Sequence, residues 1–172
     1  MPEERDPHLG DAAADGLLVS FDAVTRAHAS LVAQLSARAG VHETGFRALM
    51  LISDTGYSTP TELAGFLGLT SGAVTNMVDR LTASGLVERR PNPADRRGSL
   101  IRLTPAGTRV VDDARGRLST LLLAVSDAHG QDLAAVLDDL ANALLDEAVT
   151  VLAHPDDAEA DADEPGPGTV RA

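Results

Sequence analysis

Residues 59–107 read TPTELAGFLGLTSGAVTNMVDRLTASGLVERRPNPADRRGSLIRLTPAG, and this stretch decides the fold. It opens on Thr59-Pro60-Thr61-Glu62. Thr59 suits an N-cap, Pro60 the first helical position, and Glu62 the third, where its carboxylate closes a capping box. Leu63, Ala64 and Leu67 give the short helix that follows a buried side, and Gly68 stops it. Thr70 or Ser71 caps the next helix. Its Val74, Met77, Val78 and Leu81 recur at i, i+3, i+4 and i+7, one apolar stripe. Ser84-Gly85 ends it, with glycine where a left-handed backbone is tolerated. Two helices joined by Gly68-Leu69-Thr70 form a helix-turn-helix pattern. Residues 86–90 (LVERR) then read as a short strand, residues 91–98 (PNPADRRG) as a loop, and residues 99–103 (SLIRL) as the return strand. This is a β-hairpin with a long basic tip. Thr104-Pro105 starts a further helix by the same cap-plus-proline device.

Helices flank this centre on both sides. Upstream, Leu17, Phe21, Val24, His28, Leu31 and Leu35 alternate i+4 and i+3 spacing, a continuous helical stripe that Gly40 terminates. A second helix fits roughly 43–55, with Phe46, Leu49, Met50 and Ile52 mostly inward. Its apolar run alone also fits a buried strand, but the setting favours a helix. Residues 1–16 are rich in Pro, Asp, Glu and Ala and are expected to be disordered. Downstream, Val110, Ala114, Leu118, Leu121, Leu122 and Val125 line one side of a helix to about 128, which His129-Gly130 breaks. Leu133, Val136, Leu137, Leu140, Leu144, Ala148 and Val151 line a last helix over about 131–153. Residues 154–172 hold six acids and three prolines and read as a disordered acidic tail.

Composition narrows the function. The chain has 172 residues, 44% of them hydrophobic and only 2% aromatic, so Ala, Leu and Val must build the core, which favours helices. With no cysteine there are no disulfides, thiolate metal sites or thiol nucleophiles. No apolar run approaches the ~18 residues of a membrane span, and the acidic N-terminus lacks a signal pattern, so a cytoplasmic protein is expected. The net charge of −12 is unevenly distributed. Residues 1–59 hold 4 arginines against 8 acids, residues 60–117 hold 9 against 6, and residues 118–172 hold 1 against 12. Attraction to phosphate depends on the field within a Debye length of ~8–10 Å. The acidic total therefore does not veto a nucleic-acid site in the locally basic centre.

The order helix, helix-turn-helix, strand, basic loop, strand is a winged helix. In that arrangement the second helix of the pair enters the major groove and the loop reaches the adjacent minor groove. Ser71, Gly72, Thr75 and Asn76 form the exposed start of that helix: small hydroxyl and amide groups that reach base edges or phosphates, and a glycine that permits close approach. Arg96 and Arg97, at the loop tip, suit a narrow electronegative minor groove. Arg80, Arg89, Arg90 and Arg102 are candidates for the phosphate backbone. No nucleophile, acid–base pair or phosphate-cradling loop stands out, so no enzyme and no cofactor are expected. His42-Glu43 hints at a metal, but no histidine pair sits at i, i+4, so no metal site is expected. The alternative to DNA binding is a winged helix that only binds protein. Salt dependence separates the two, since DNA binding predicts a steep fall in affinity with salt.

Residues 60–107 resemble the multiple-antibiotic-resistance-regulator (MarR) family of winged-helix transcription factors. The resemblance rests on Val74-Thr75 with Val78-Asp79-Arg80-Leu81, on Gly85-Leu86-Val87 with Arg89, on Asp95-Arg96-Arg97, and on Leu103-Thr104 with Gly107, in that order and spacing. The flanking long helices match as well, over about 17–153. The resemblance implies a mainly α fold with a small β-hairpin wing, a winged helix-turn-helix carrying long N- and C-terminal dimerisation helices. The expected layout is a dimerisation helix over 17–42, a DNA-binding domain over 43–107 and dimerisation helices over 108–153. It implies a homodimer on double-stranded DNA with an inverted-repeat operator. By motif, Ser71, Gly72, Thr75 and Asn76 become groove readers and Arg97 the minor-groove residue. Asp95 orients the wing arginines, because a carboxylate near phosphate is repelled. Many relatives carry Arg where this chain has Asn76, a departure that bears on base preference and not on docking. The family's usual mechanism is repression relieved by a small aromatic or phenolic effector between the wing-bearing lobe and the dimer helices. His28, His42, Arg47 and Tyr57 are the candidate pocket residues. His28 lies on the apolar stripe, where a core or interface role also accounts for it.

Overall fold

The computed structural model describes residues 7–93, 98–129 and 132–153. Its elements are α1 (Pro7–Arg38), α2 (Glu43–Thr55), α3 (Pro60–Leu67), α4 (Ser71–Ala83), β1 (Val87–Pro91), β2 (Ser99–Leu103), α5 (Pro105–His129) and α6 (Leu133–Ala153). The wing residues Asp95, Arg96 and Arg97 and the acidic stretch 154–172 lie outside the described residues. The chain divides into two compact units, residues 1–118 and 119–172.

In the first unit α2, α3 and α4 close around a small core and the hairpin completes it. Leu49 and Ile52 of α2, Leu63 of α3, Val74 and Val78 of α4, and Ile101 of β2 are almost wholly removed from solvent. The stripe on α4 is the reason: Val74, Val78 and Leu81 are its buried residues. The strands pair antiparallel, with Val87 opposite Leu103 and Arg89 opposite Ile101. Ser58 adds a bridge outside the hairpin. Its amide donates to Ile101 O at 2.9 Å and its carbonyl accepts from the Ile101 amide at 2.7 Å. The loop ahead of α3 is thereby tied to the wing strand.

The capping box at α3 forms as the sequence spacing demands. The Thr59 hydroxyl accepts from the Glu62 amide at 3.2 Å, and the Glu62 carboxylate accepts from the Thr59 amide at 2.7 Å. That backbone donor, with the Thr59 hydroxyl, holds the Glu62 carboxyl below the usual carboxylate range. A depressed folded value means stability that is present above the unfolded value and lost as pH falls through the folded one. Glu62→Ala is therefore expected to lower the urea midpoint at pH 7 and to converge on wild type in acid. A pH-independent difference would remove the carboxylate from the explanation.

A second tie closes α5 onto the turn after α4. The Thr104 amide donates to Leu86 O at 3.0 Å, and its hydroxyl donates to Gly85 O at 2.6 Å and accepts from the Gly107 amide at 3.1 Å. Gly107 packs so closely there that an added Cβ would stand 2.1 Å from Leu86 O.

α1 departs from expectation at its start. It begins at Pro7, not at Leu17, so residues 7–16, expected to be disordered, are helical. Proline suits a first helical turn and Ala12-Ala13-Ala14 are the strongest helix formers, yet alanines leave no apolar stripe for periodicity to register.

In the second unit α6 is an apolar helix without a core. None of its residues is buried, and Val136, Leu137, Leu140, Leu144 and Val151 stand exposed along one stripe. Among the described residues no helix is long and apolar enough to cross a membrane.

Candidate nucleic-acid interface

The helix-turn-helix is set by two caps. α3 ends at Gly68 in the left-handed region (φ 64°, ψ 36°), a conformation open to glycine without strain. The chain re-enters helix at Thr70, whose hydroxyl accepts from the Ala73 amide at 3.3 Å. This fixes the start of α4 at Ser71. Burial of Val74, Val78 and Leu81 turns the opposite face outward. Two polar rows at helical spacing cover that face: Ser71, Thr75 and Asp79, and beside them Gly72, Asn76 and Arg80, all exposed. The four residues expected to read a groove are thus brought together on one surface with Arg80.

Gly72 is informative because the fold does not require it. Its φ is not positive, and an added Cβ would meet nothing within 4 Å. Glycine in a helix costs about 0.5–1 kcal/mol relative to alanine. What it leaves is bare backbone on the outer face, available to something approaching from outside.

The arginines around α4 divide by partner. Arg89 of β1 donates to Asp79 of α4 at 2.7 Å, and Arg90 donates to Glu88 at 2.8 Å. Among the described residues Arg80 and Arg102 have no carboxylate partner. Of the four arginines considered for phosphate, Arg80 and Arg102 are thus the two without an ion pair among the described residues. Sequence reading misses Asp79 as a partner because the pair spans ten positions. Strand alternation carries the only hint, since it puts Arg89 on the same face as buried Val87.

The four residues considered for an effector pocket fall into three cavities. His28 and Arg47 share one of about 230 Å³ in the first unit, lined also by Phe46, Met50 and Phe66 and rimmed by the Asp54–Arg115 ion pair. His28 is exposed there and not part of the core. His42 lines a cavity of about 400 Å³ beside Asn76 and Arg80. It is also the N-cap of α2, its Nδ1 accepting from the Thr44 amide at 3.3 Å. That role is hidden in the sequence because histidine is not among the preferred cap residues. Tyr57 lines a third, open cavity with Ser58, Glu62 and Phe66.

Comparison with known proteins gives this geometry a context. The sequence model of the MarR family matches residues 41–99. The multiple antibiotic resistance protein MarR of Salmonella typhimurium is 43% identical over 74 residues, 43% of this chain and 51% of that protein. MarR of Escherichia coli K12 is 43% identical over 67 residues, 39% of this chain and 46% of that protein. The chain thus spans about half the length of the curated relatives it matches in sequence. In structure the match extends further. The crystal structure of wild-type apo MarR from E. coli superposes with a TM-score of 0.56 at 30% identity, covering 76% of this chain and 95% of that one. This chain belongs to the MarR family. Its winged helix-turn-helix is that of MarR proteins, and the family sequence model spans α2, α3, α4 and β1 in full and reaches the first residue of β2. A cysteine-to-serine variant of E. coli MarR, solved in complex with operator DNA, superposes with a TM-score of 0.55 at 28% identity, covering 81% of this chain and 99% of that one.

Proposed function

We propose that the chain is a cytoplasmic, sequence-specific DNA-binding regulator of transcription, working as a homodimer on an inverted-repeat operator. The exposed polar face of α4 carries the proposal: hydroxyls, an amide, a bare glycine and an arginine without an ion pair among the described residues, on a capped helix in the basic part of an acidic chain. The E. coli MarR complex with operator DNA supports the same docking. Ser71, Gly72, Thr75 and Asn76 read the major groove, Arg80 meets phosphate, and Arg96 and Arg97, oriented by Asp95, enter the minor groove. The exposed apolar rows of α1 and α6 support a dimer, because a monomer would leave Leu17, Leu18, Val24, Leu140 and Leu144 in water.

The test is binding to inverted-repeat DNA from the protein's own upstream region across a salt series. Tight binding that falls steeply with salt is expected, and Arg97→Ala weakens it. Gly72→Ala is expected to raise the melting temperature slightly while reducing operator affinity about tenfold, since its methyl meets nothing in the protein and a base or phosphate in the complex. Equal affinity for wild type and Gly72→Ala would remove close approach at that position. No binding to any duplex at low salt would favour the protein-interaction module instead.

Repression relieved by a small aromatic or phenolic effector is the regulatory part of the proposal. The cavity shared by His28 and Arg47 supports it best, being largely apolar with a cation at its edge. Such a ligand shifts the equilibrium only if it binds the DNA-incompetent form better. An effector that leaves operator affinity unchanged would refute this part alone.

A further inference from the structure

Arg89 is partly exposed, but its guanidinium is engaged by a carboxylate of its own chain. Strand alternation puts it on the hairpin face that carries Val87 and, across the pair, Ile101, both buried. Its side chain leaves that face toward α4, where Nη2 donates to Asp79 Oδ1 at 2.7 Å. Asp79 stands one turn beyond Thr75 on the row that begins at Ser71. A free carboxylate there would repel an approaching phosphate and work against the rest of the face. The two strands are also held differently. β2 is tied at Ile101 by the Ser58 backbone, whereas β1 has no second neighbouring strand among the described residues. The Arg89–Asp79 bond supplies that tie. Arg90, one residue on, faces the other way and bonds Glu88 within its own strand.

We infer that Arg89 is a positioning residue: with Asp79 it forms a strut that sets the wing on the reading helix and cancels the carboxylate, and it does not itself touch DNA. The inference rests on the DNA-binding reading above. An exposed ion pair changes a local equilibrium by about two- to fivefold. A dimer reads two half-sites, so the loss compounds to about tenfold in the ratio of operator to random-sequence affinity.

The test uses the full chain with Asp79→Asn, Arg89→Gln, the double variant, and the charge-reversed pair Asp79→Arg with Arg89→Asp. Amide hydrogen exchange of the free protein is read first. Each single substitution is expected to speed exchange in residues 87–90 about two- to fivefold and to leave α2 unchanged. The double variant exchanges no faster than either single, and the reversed pair returns toward wild type. Binding to operator and random duplexes is then followed across a salt series. Both singles reduce discrimination about tenfold, but Arg89→Gln keeps the wild-type salt slope. If Arg89 neutralised one phosphate in each half-site, its replacement would instead lower that slope by about 2. Such a drop, additive effects in the double variant, or unchanged hairpin exchange would each overturn the strut. If wild type binds no duplex at all, the DNA reading fails, and the exchange results still decide the strut by themselves.

Discussion

Replacing Leu140 and Leu144 of α6 by glutamate is expected to yield a monomer and to cut operator affinity by about 100-fold or more. Both leucines are roughly half exposed, 42% and 49%, and neither belongs to the core of the first unit, so folding should survive the change. Charge in an apolar seam is a different matter, because burying an unpaired carboxylate is prohibitive. Two half-sites bound by one dimer gain about 10²–10⁴ in affinity over a single module through effective concentration. A monomer forfeits that gain even though the reading face of α4 is untouched. Sedimentation across a concentration range reads the first effect, and titration of operator against half-site DNA reads the second. The variant should bind both DNAs equally weakly. A double variant that still dimerises would move the seam away from α6.

The second large effect is on stability. In Gly107→Ala the new methyl would meet Leu86 O at 2.1 Å, Leu86 C at 3.1 Å and Leu103 Cδ2 at 3.3 Å. The nearest two atoms are backbone, and Leu86 O is already held by the Thr104 amide at 3.0 Å, so it has nowhere to retreat. Overpacking of this kind costs about 1–3 kcal/mol, and a rigid backbone neighbour argues for the upper end. For a chain of this size that corresponds to a fall of about 5–10 °C in melting temperature. Gly65→Ala in α3 is the control, since its methyl would meet nothing within 4 Å and should leave stability equal or higher. If the two variants melt together, the turn after α4 yields more readily than its hydrogen bonds suggest.

What is legible in the sequence is what is local. Thr59-Pro60-Thr61-Glu62 announces a helix start because both hydrogen bonds of its capping box lie within three residues. The stripe from Val74 to Leu81 defines α4 and its outward face by spacing alone. Residues 99–103 alternate and form β2 with the expected limits. The misses share a cause in separation along the chain. Ser58 meets Ile101, Arg89 meets Asp79, and Arg115 of α5 meets Asp54 of α2, and in no case do both partners lie in one element. The pocket residues are the least legible. His28, His42, Arg47 and Tyr57 share polar or aromatic character and a place near the expected cleft, but the fold gathers only His28 and Arg47. A cavity is defined by what several elements leave unfilled, and residue type says little about that.

The bridge from Ser58 to Ile101 has a consequence for how such wings vary. A one-residue slip between two strands turns every side chain to the opposite face. In a hairpin whose register is set by its turn, changing the turn risks such a slip. Here β2 is held at its middle by a neighbour that belongs to neither strand, and β1 is held below the tip by buried Val87, so neither strand depends on the turn for its place. A change of sequence between Asn92 and Gly98 is then expected to leave both strands in place. Tips of different length or charge could be grafted there, altering how far the proposed DNA-binding surface extends, while Val87 and Ile101 keep their places in the core.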